Sequence, residues 1–209
     1  MALPRTYDPI FSRHAGALPV TYLRALSSRE SSMNPGDTGG MAWGLMQVIE
    51  DVRTSYNSRF GTNYSRQDLL DPDVNVRIAS ELINRIASDY EKFHPGVPNM
   101  QTNFGNPEFV KLLTAGWNSG YSEVAGVGKV ASWLQSQGIP VTHDNVIDYA
   151  AQAGGTRYLY ENAEGTRNWQ RSVADLFFAE GGDERSMVTS LIKIVAVSVA
   201  AYALYKWIG

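Results

Sequence analysis

The chain contains no cysteine, which excludes both a disulfide framework and a thiolate metal site. Its three histidines, His14, His94 and His143, lie far apart in sequence. Each reads as a surface or capping residue, and no metal or cofactor is expected. The formal net charge is −3 and no Lys/Arg-rich run occurs, so the electrostatic footprint of a nucleic-acid binder is missing. Met1 to Ser28 contains no basic segment leading into an apolar one, and no secretory signal is expected there. Period-two alternation of apolar and polar residues is scarce, which argues against a sheet-based fold.

What remains is a chain of 209 residues, 44% hydrophobic and 19% charged, suited to one globular domain with an appendage. Helix signals dominate. Tyr7 to His14 fits a short first helix. Pro19 opens a second over Val20–Ser32, stopped by Asn34-Pro35, because the residue before proline is pushed away from the helical region. Val48 to Phe60 reads as a third. Asp71-Pro72-Asp73 opens the clearest amphipathic helix, with Ile78, Leu82, Ile83, Ile86 and Tyr90 at three- and four-residue steps. Asn106-Pro107-Glu108 starts a helix carrying Phe109, Leu112, Leu113 and Trp117, stopped at Asn118-Ser119-Gly120. Further helices are expected over Ser122–Gln137, Thr142–Ala153 and Thr166–Phe178. The fold class is mainly α: a domain over residues 1–178, a linker over 179–186 and a final segment over 187–208. Between Met187 and Ile208 the only charges are Lys193 and Lys206. A helix of that length covers roughly 30 Å, enough to cross a bilayer core, and Tyr202, Tyr205 and Trp207 suit an interfacial belt. A transmembrane helix is therefore expected, with lipid as a partner.

One carboxylate stands out by position. Glu30 falls near the end of the second helix, where the negative end of the macrodipole disfavours its charge. Apolar surroundings would raise its pKa further, making it a proton donor near neutral pH and a base once the proton has gone. By itself a helix-end glutamate reads as a solvated surface acid, so its neighbours have to decide.

Those neighbours are Ser28-Arg29-Glu30-Ser31, then Gly44-Leu45-Met46-Gln47-Val48, then Asp71-Pro72-Asp73-Val74-Asn75, then Ala115-Gly116-Trp117-Asn118-Ser119-Gly120, then Thr166-Arg167-Asn168-Trp169. In this order they resemble the blocks of the soluble lytic transglycosylases, whose domain is lysozyme-like. The resemblance covers most of residues 18–175. It implies cleavage of the β-1,4 bond between N-acetylmuramic acid and N-acetylglucosamine in peptidoglycan, with the glycan strand as partner. It also implies that Glu30 carries both proton transfers, first to the glycosidic oxygen and then from the muramoyl 6-hydroxyl, leaving a 1,6-anhydro sugar. Ser31, Met46, Gln47 and Asn118 match the family's site residues: Ser31 near the glutamate, Met46 on the floor, Gln47 and Asn118 orienting sugar or acid.

The sequence departs from the family in its loop and its aromatics. The loop after Glu30 looks about one residue shorter than usual, and Thr38 is the nearest match to a serine often found there. Tryptophan replaces tyrosine at Trp117 and Trp169, which keeps a stacking face but loses the phenolic oxygen. Trp117 reads equally as a core residue or a sugar contact, and Trp43 as a sugar platform. Goose-type lysozymes share the Ser-Arg-Glu-Ser and Gly-Leu-Met-Gln-Val blocks, so a hydrolase using a second carboxylate is an open alternative. Asp37 is the candidate, set against a simpler role in an Asx turn. A wall-cutting motif joined to an apolar tail without an export signal suggests a phage virion protein, membrane-associated and acting on the host envelope beside other virion proteins. A bacterial cell-wall or secretion-system enzyme facing the periplasm, and a membrane-anchored structural or channel protein with a sugar-binding module, are the alternatives.

Overall fold

The computed structural model describes residues 2–182. The expected membrane helix over 187–208 lies outside them; among the described residues no helix is long and apolar enough to cross a membrane. In chain order the helices are α1 (Asp8–His14), α2 (Val20–Ser31), α3 (Glu50–Phe60), α4 (Pro72–Phe93), α5 (Pro107–Ser119), α6 (Val127–Ser136), α7 (His143–Asp148), α8 (Ala150–Ala153), α9 (Arg157–Tyr160) and α10 (Ala163–Ala179). Two short strands, β1 (Ala42–Trp43) and β2 (Val48–Ile49), pair antiparallel between α2 and α3. Short 3-10 turns precede α4 and α5.

The two helices with the strongest start signals form the frame. At α4 the Asp71 side chain accepts from the Asp73 backbone N–H at 2.8 Å, with Pro72 in the first turn. At α5 Asn106 accepts from the Glu108 N–H at 3.0 Å, with Pro107 beside it. Each cap satisfies an amide that the first helical turn leaves without an internal partner. Ile78, Leu82, Ile83, Ile86 and Tyr90 of α4, and Phe109, Leu112 and Leu113 of α5, are all buried. α4 packs against α1 and α5, and α10 closes the domain against α2 and α5. These layers meet in an aromatic cluster in which Tyr22 of α2 lies 5.7 Å from Phe104 and 6.0 Å from Phe177, ring centre to ring centre. α4 and α5 come very close at Gly116, where a Cβ would stand 2.3 Å from the Tyr90 hydroxyl oxygen. The Tyr90 hydroxyl donates to the Leu112 carbonyl at 3.1 Å, which fixes the middle of α5 against the far end of α4.

Several elements differ from the sequence expectation. Val48 and Ile49 are strand, and α3 begins only at Glu50, because their partners Trp43 and Ala42 lie across the turn. α6 begins at Val127 rather than Ser122. The residues before it fold back over its start, and the N–H groups of Val127, Gly128 and Lys129 bond to the carbonyls of Gly120, Tyr121 and Ser122. The helix expected over Thr142–Ala153 breaks at Tyr149 into α7 and α8, and α10 starts at Ala163. His94 and His143 are buried rather than at the surface, although His94 does stand at the C-cap of α4 and His143 is the first residue of α7. Each has a side-chain partner that replaces water: Gln135 and Glu123 for His94, Gln170 for His143.

Candidate active site

Glu30 stands in the last turn of α2. The helix stops directly after it because Ser32 and Met33 both adopt left-handed backbone, with φ of 54° and 64°. Their amides turn back to the Ser27 carbonyl. Two consecutive non-glycine residues in that region are sterically costly, and strain of this kind gathers at functional sites. The Glu30 Oε1 accepts a hydrogen bond from the indole N–H of Trp117, on the last turns of α5, at 2.5 Å. Burial pushes the carboxyl up from 4.5 to about 7, and the indole N–H opposes that shift by favouring the anion. A carboxyl balanced near neutrality can give up a proton and take one back.

Beneath Glu30 the 44–47 turn is tied from two sides. From α2, the hydroxyls of Ser27 and Ser31 both donate to the Leu45 carbonyl, at 3.2 and 2.8 Å. From α4, the fully buried Asn75 donates to the carbonyls of Trp43 and Leu69, at 2.8 and 2.9 Å, and accepts from the Met46 N–H at 2.7 Å. Within the turn, Gly44 has φ +79° and Gln47 φ +49°. The Gly44 N–H bonds to the Asp37 carbonyl at 2.7 Å, and the Gln47 side chain donates to the Gly44 carbonyl at 2.8 Å. Buried backbone groups of an irregular turn are thus matched one by one.

The structure distributes the expected site residues unevenly. Trp117 meets Glu30 directly through the one polar atom that tryptophan owns. Asn118 is exposed beside it, its Oδ1 accepting from Ser119 Oγ at 3.0 Å and Gln170 Nε2 at 3.2 Å. Gln47 is half-buried on the turn. Ser31 is buried, and its hydroxyl also accepts from the Asn34 N–H at 3.2 Å, so it ties the frame together from within. Met46 is fully buried and supports the floor from below. The Arg66 guanidinium sits 5.4 Å from the Trp43 ring centre, a cation–π contact over that ring. Thr38 is exposed in the loop. Asp37 forms an Asx turn, its Oδ1 accepting from the Gly39 N–H at 3.1 Å. Sequence reasoning missed Ser27, Asn75 and Gln170 as parts of this assembly. Asn75 was within reach of inspection, as a polar residue one turn into an amphipathic helix on the side of its apolar stripe.

The Transglycosylase SLT domain model matches residues 10–140. The fold is similar to that of an inactive mutant of the lytic transglycosylase Slt from Pseudomonas aeruginosa, at 21% identity and a TM-score of 0.59, over 87% of this chain and 25% of that one. It is also similar to the 70 kDa soluble lytic transglycosylase from Escherichia coli, at 24% identity and a TM-score of 0.51, over 81% of this chain and 24% of that one. A complex of the 70-kDa soluble lytic transglycosylase with bulgecin A gives 22% identity and a TM-score of 0.57, over 86% and 25% of the two chains. The chain thus spans about a quarter of the length of these solved proteins. No curated protein sequence matches it significantly. Because the match runs from α1 past the end of α6, and so contains Glu30, its Trp117 partner and the braced 44–47 turn, the chain belongs to the transglycosylase SLT domain family.

Proposed function

We propose that the domain is a peptidoglycan lytic transglycosylase in which Glu30 is the acid and the base. The observation that carries this reading is a largely buried carboxyl, raised to about 7, whose hydrogen-bond partner is a donor from the opposite helix. In the first step the protonated Glu30 gives its proton to the glycosidic oxygen as the bond from that oxygen to C1 of the muramoyl residue breaks. The sugar's own acetamido oxygen stabilises the charge developing at C1. In the second step the muramoyl 6-hydroxyl oxygen bonds to C1 and its proton returns to Glu30. No water is consumed, and the enzyme ends in its starting protonation state. Most glycosidases need a second carboxylate as nucleophile or base; here the substrate supplies the nucleophile and Glu30 itself serves as the base. The Asx turn formed by Asp37 supports the one-carboxylate reading. The location proposed with this activity is a membrane surface facing peptidoglycan, in a virion or a cell envelope. Its support is the apolar stretch between Met187 and Ile208, a property of the sequence.

Mass spectrometry of muropeptides released from purified peptidoglycan tests the chemistry. The expected products carry 1,6-anhydro ends, one water lighter than hydrolytic ones. Reducing ends would mean a hydrolase, and an absence of soluble products would remove the enzymatic reading.

The pH profile tests the role of Trp117. Glu30 must hold its proton to begin, so the rate is expected to fall as pH rises through about 7. Trp117→Phe keeps an aromatic plate but removes the N–H that favours the anion. The falling limb should then move upward by about one pH unit, the equivalent of one hydrogen bond. An unmoved limb would show that the indole does not tune Glu30.

A further inference from the structure

The exposed amide of Asn118 is fixed from behind by a chain of buried polar groups. Its Oδ1 accepts from Ser119 Oγ and from Gln170 Nε2. Gln170, on α10, is fully buried; its Nε2 also donates to Ser119 Oγ at 3.2 Å, and its Oε1 lies 2.7 Å from His143 Nε2. An amide oxygen cannot donate, so His143 Nε2 carries the hydrogen. His143 Nδ1, also buried, has no hydrogen-bond partner. The ring is held in register by its own backbone N–H, which donates to Glu108 Oε2 at 2.8 Å. The hydrogen bonds therefore run one way, from His143 through Gln170 to Asn118. Among the described residues no acceptor takes the two hydrogens of Asn118 Nδ2.

We propose that Gln170 and His143 are positioning residues that set the polarity of Asn118, so that it presents a donor to an acceptor oxygen of the bound glycan. On an N-acetylated sugar the strongest neutral acceptor is the acetamido carbonyl. The inference rests on the glycan-binding reading given above and adds to it the residues that decide which way a contacting amide points. The residue facing Asn118 on its buried side has to be a donor, and Gln170 is a donor there only because its oxygen is already engaged by His143. Adding a proton to His143 at Nδ1 would leave the Nε2 hydrogen in place, so the direction of the chain survives titration. The charged groups facing this ring are Asp144, 3.5 Å from Nδ1, with Arg167 and Arg171 of α10 paired to it, and Glu108 and Lys111 of α5. Apolar groups of the same volume would pack there with little loss of stability, which leaves the polarity of the chain to be explained by what lies at its exposed end.

A double-mutant cycle on the full chain tests this, with two readouts: the dissociation constant for an N-acetylglucosamine oligomer, and kcat and KM on peptidoglycan. Gln170→Met is expected to weaken oligomer binding and raise KM about tenfold, the value of one ligand hydrogen bond. In an Asn118→Ala background the same change should alter binding by less than about twofold, because its effect passes through Asn118. His143→Leu should reproduce Gln170→Met, and His143→Gln, which can still donate to Gln170, should restore binding. Effects of Gln170→Met and Asn118→Ala that multiply, or a His143→Gln variant as weak as His143→Leu, would overturn the proposal. Coupled binding without cleavage by the wild type would keep the positioning role and remove the enzymatic reading; cleavage with independent effects would do the reverse.

Discussion

Glu30→Gln should lower peptidoglycan turnover by roughly a thousandfold or more and, at pH 8, make the protein more stable than the wild type. The first effect follows from removing the group that the proposed mechanism uses as proton donor and acceptor in both steps; general acid–base catalysis contributes about 10²- to 10⁴-fold for a single transfer. Glutamine keeps the shape and can still accept from the Trp117 indole, so the fold has no reason to change. The second effect follows from linkage. The folded protein holds the Glu30 proton up to about pH 7, whereas the unfolded chain releases it near the ordinary 4.5. Between those values the native state binds more protons, so stability falls as pH rises and levels off above the upper value. A shift of this size corresponds to at most about 3 kcal/mol at pH 8 and under about 1 kcal/mol at pH 5. Glutamine escapes the penalty, so its melting temperature should exceed that of the wild type by up to about 6–12 °C at pH 8 and by little at pH 5. Thermal unfolding of both proteins at the two pH values checks it. A variant that still clears peptidoglycan would show that Glu30 is not the proton carrier, and one less stable than the wild type at pH 8 would show that its burial carries no penalty.

Gly44→Ala should be the most disruptive single methyl group in the domain. At φ +79° an alanine is already strained, and its Cβ would stand 2.0 Å from the Leu69 carbonyl oxygen and 2.4 Å from Asn75 Nδ2. Neither neighbour can withdraw cheaply, since Leu69 O is backbone and Asn75 is held by three hydrogen bonds. Left-handed strain costs roughly 1–2 kcal/mol and overpacking another 1–3 kcal/mol, so the loss should be about 2–5 kcal/mol, a fall in melting temperature of about 5–20 °C. Gly40→Ala is the control. Gly40 has φ +82° with nothing within 4 Å of the added carbon, so it should show only the torsional part, about 1–2 kcal/mol. Denaturant or thermal unfolding of the pair separates sterics from torsion. If Gly44→Ala loses no more than Gly40→Ala, the turn is not packed as described.

Much of the frame was legible in the sequence because its signals are local. The Asp71-Pro72 and Asn106-Pro107 starts are written within a few residues, and the stripe from Ile78 to Tyr90 repeats often enough to define a face. The site was legible in part. Glu30 and the 44–47 turn were found from their order along the chain, but the joints between them were not. Trp117 meets Glu30 across 87 positions, and an aromatic residue at helical spacing reads equally as core or as a sugar contact until its one N–H is seen to point at a carboxyl. His94 and His143 read as surface or capping residues because the partners that permit their burial lie far away in the chain. The helix expected from Ser122 failed for a related reason: the carbonyls at 120–122 serve the amides of α6, an arrangement that no periodicity records.

The Asn75 hub also bears on the order in which the protein becomes itself. Its partners on the turn, Met46 and Trp43, were laid down 29 and 32 positions earlier. As the chain leaves the ribosome, α2 and its glutamate emerge first, with the turn behind them, and the Leu45 carbonyl already has Ser27 and Ser31 to hand, yet the Asn75 bonds to the Trp43 carbonyl and the Met46 amide form only when the first turn of α4 has docked. The opposite wall waits longer still, for α5 to bring Trp117. The residue nearest the start of the site is therefore among the last to acquire its working environment, and the raised proton affinity of Glu30 is a property of the finished domain that no early segment possesses.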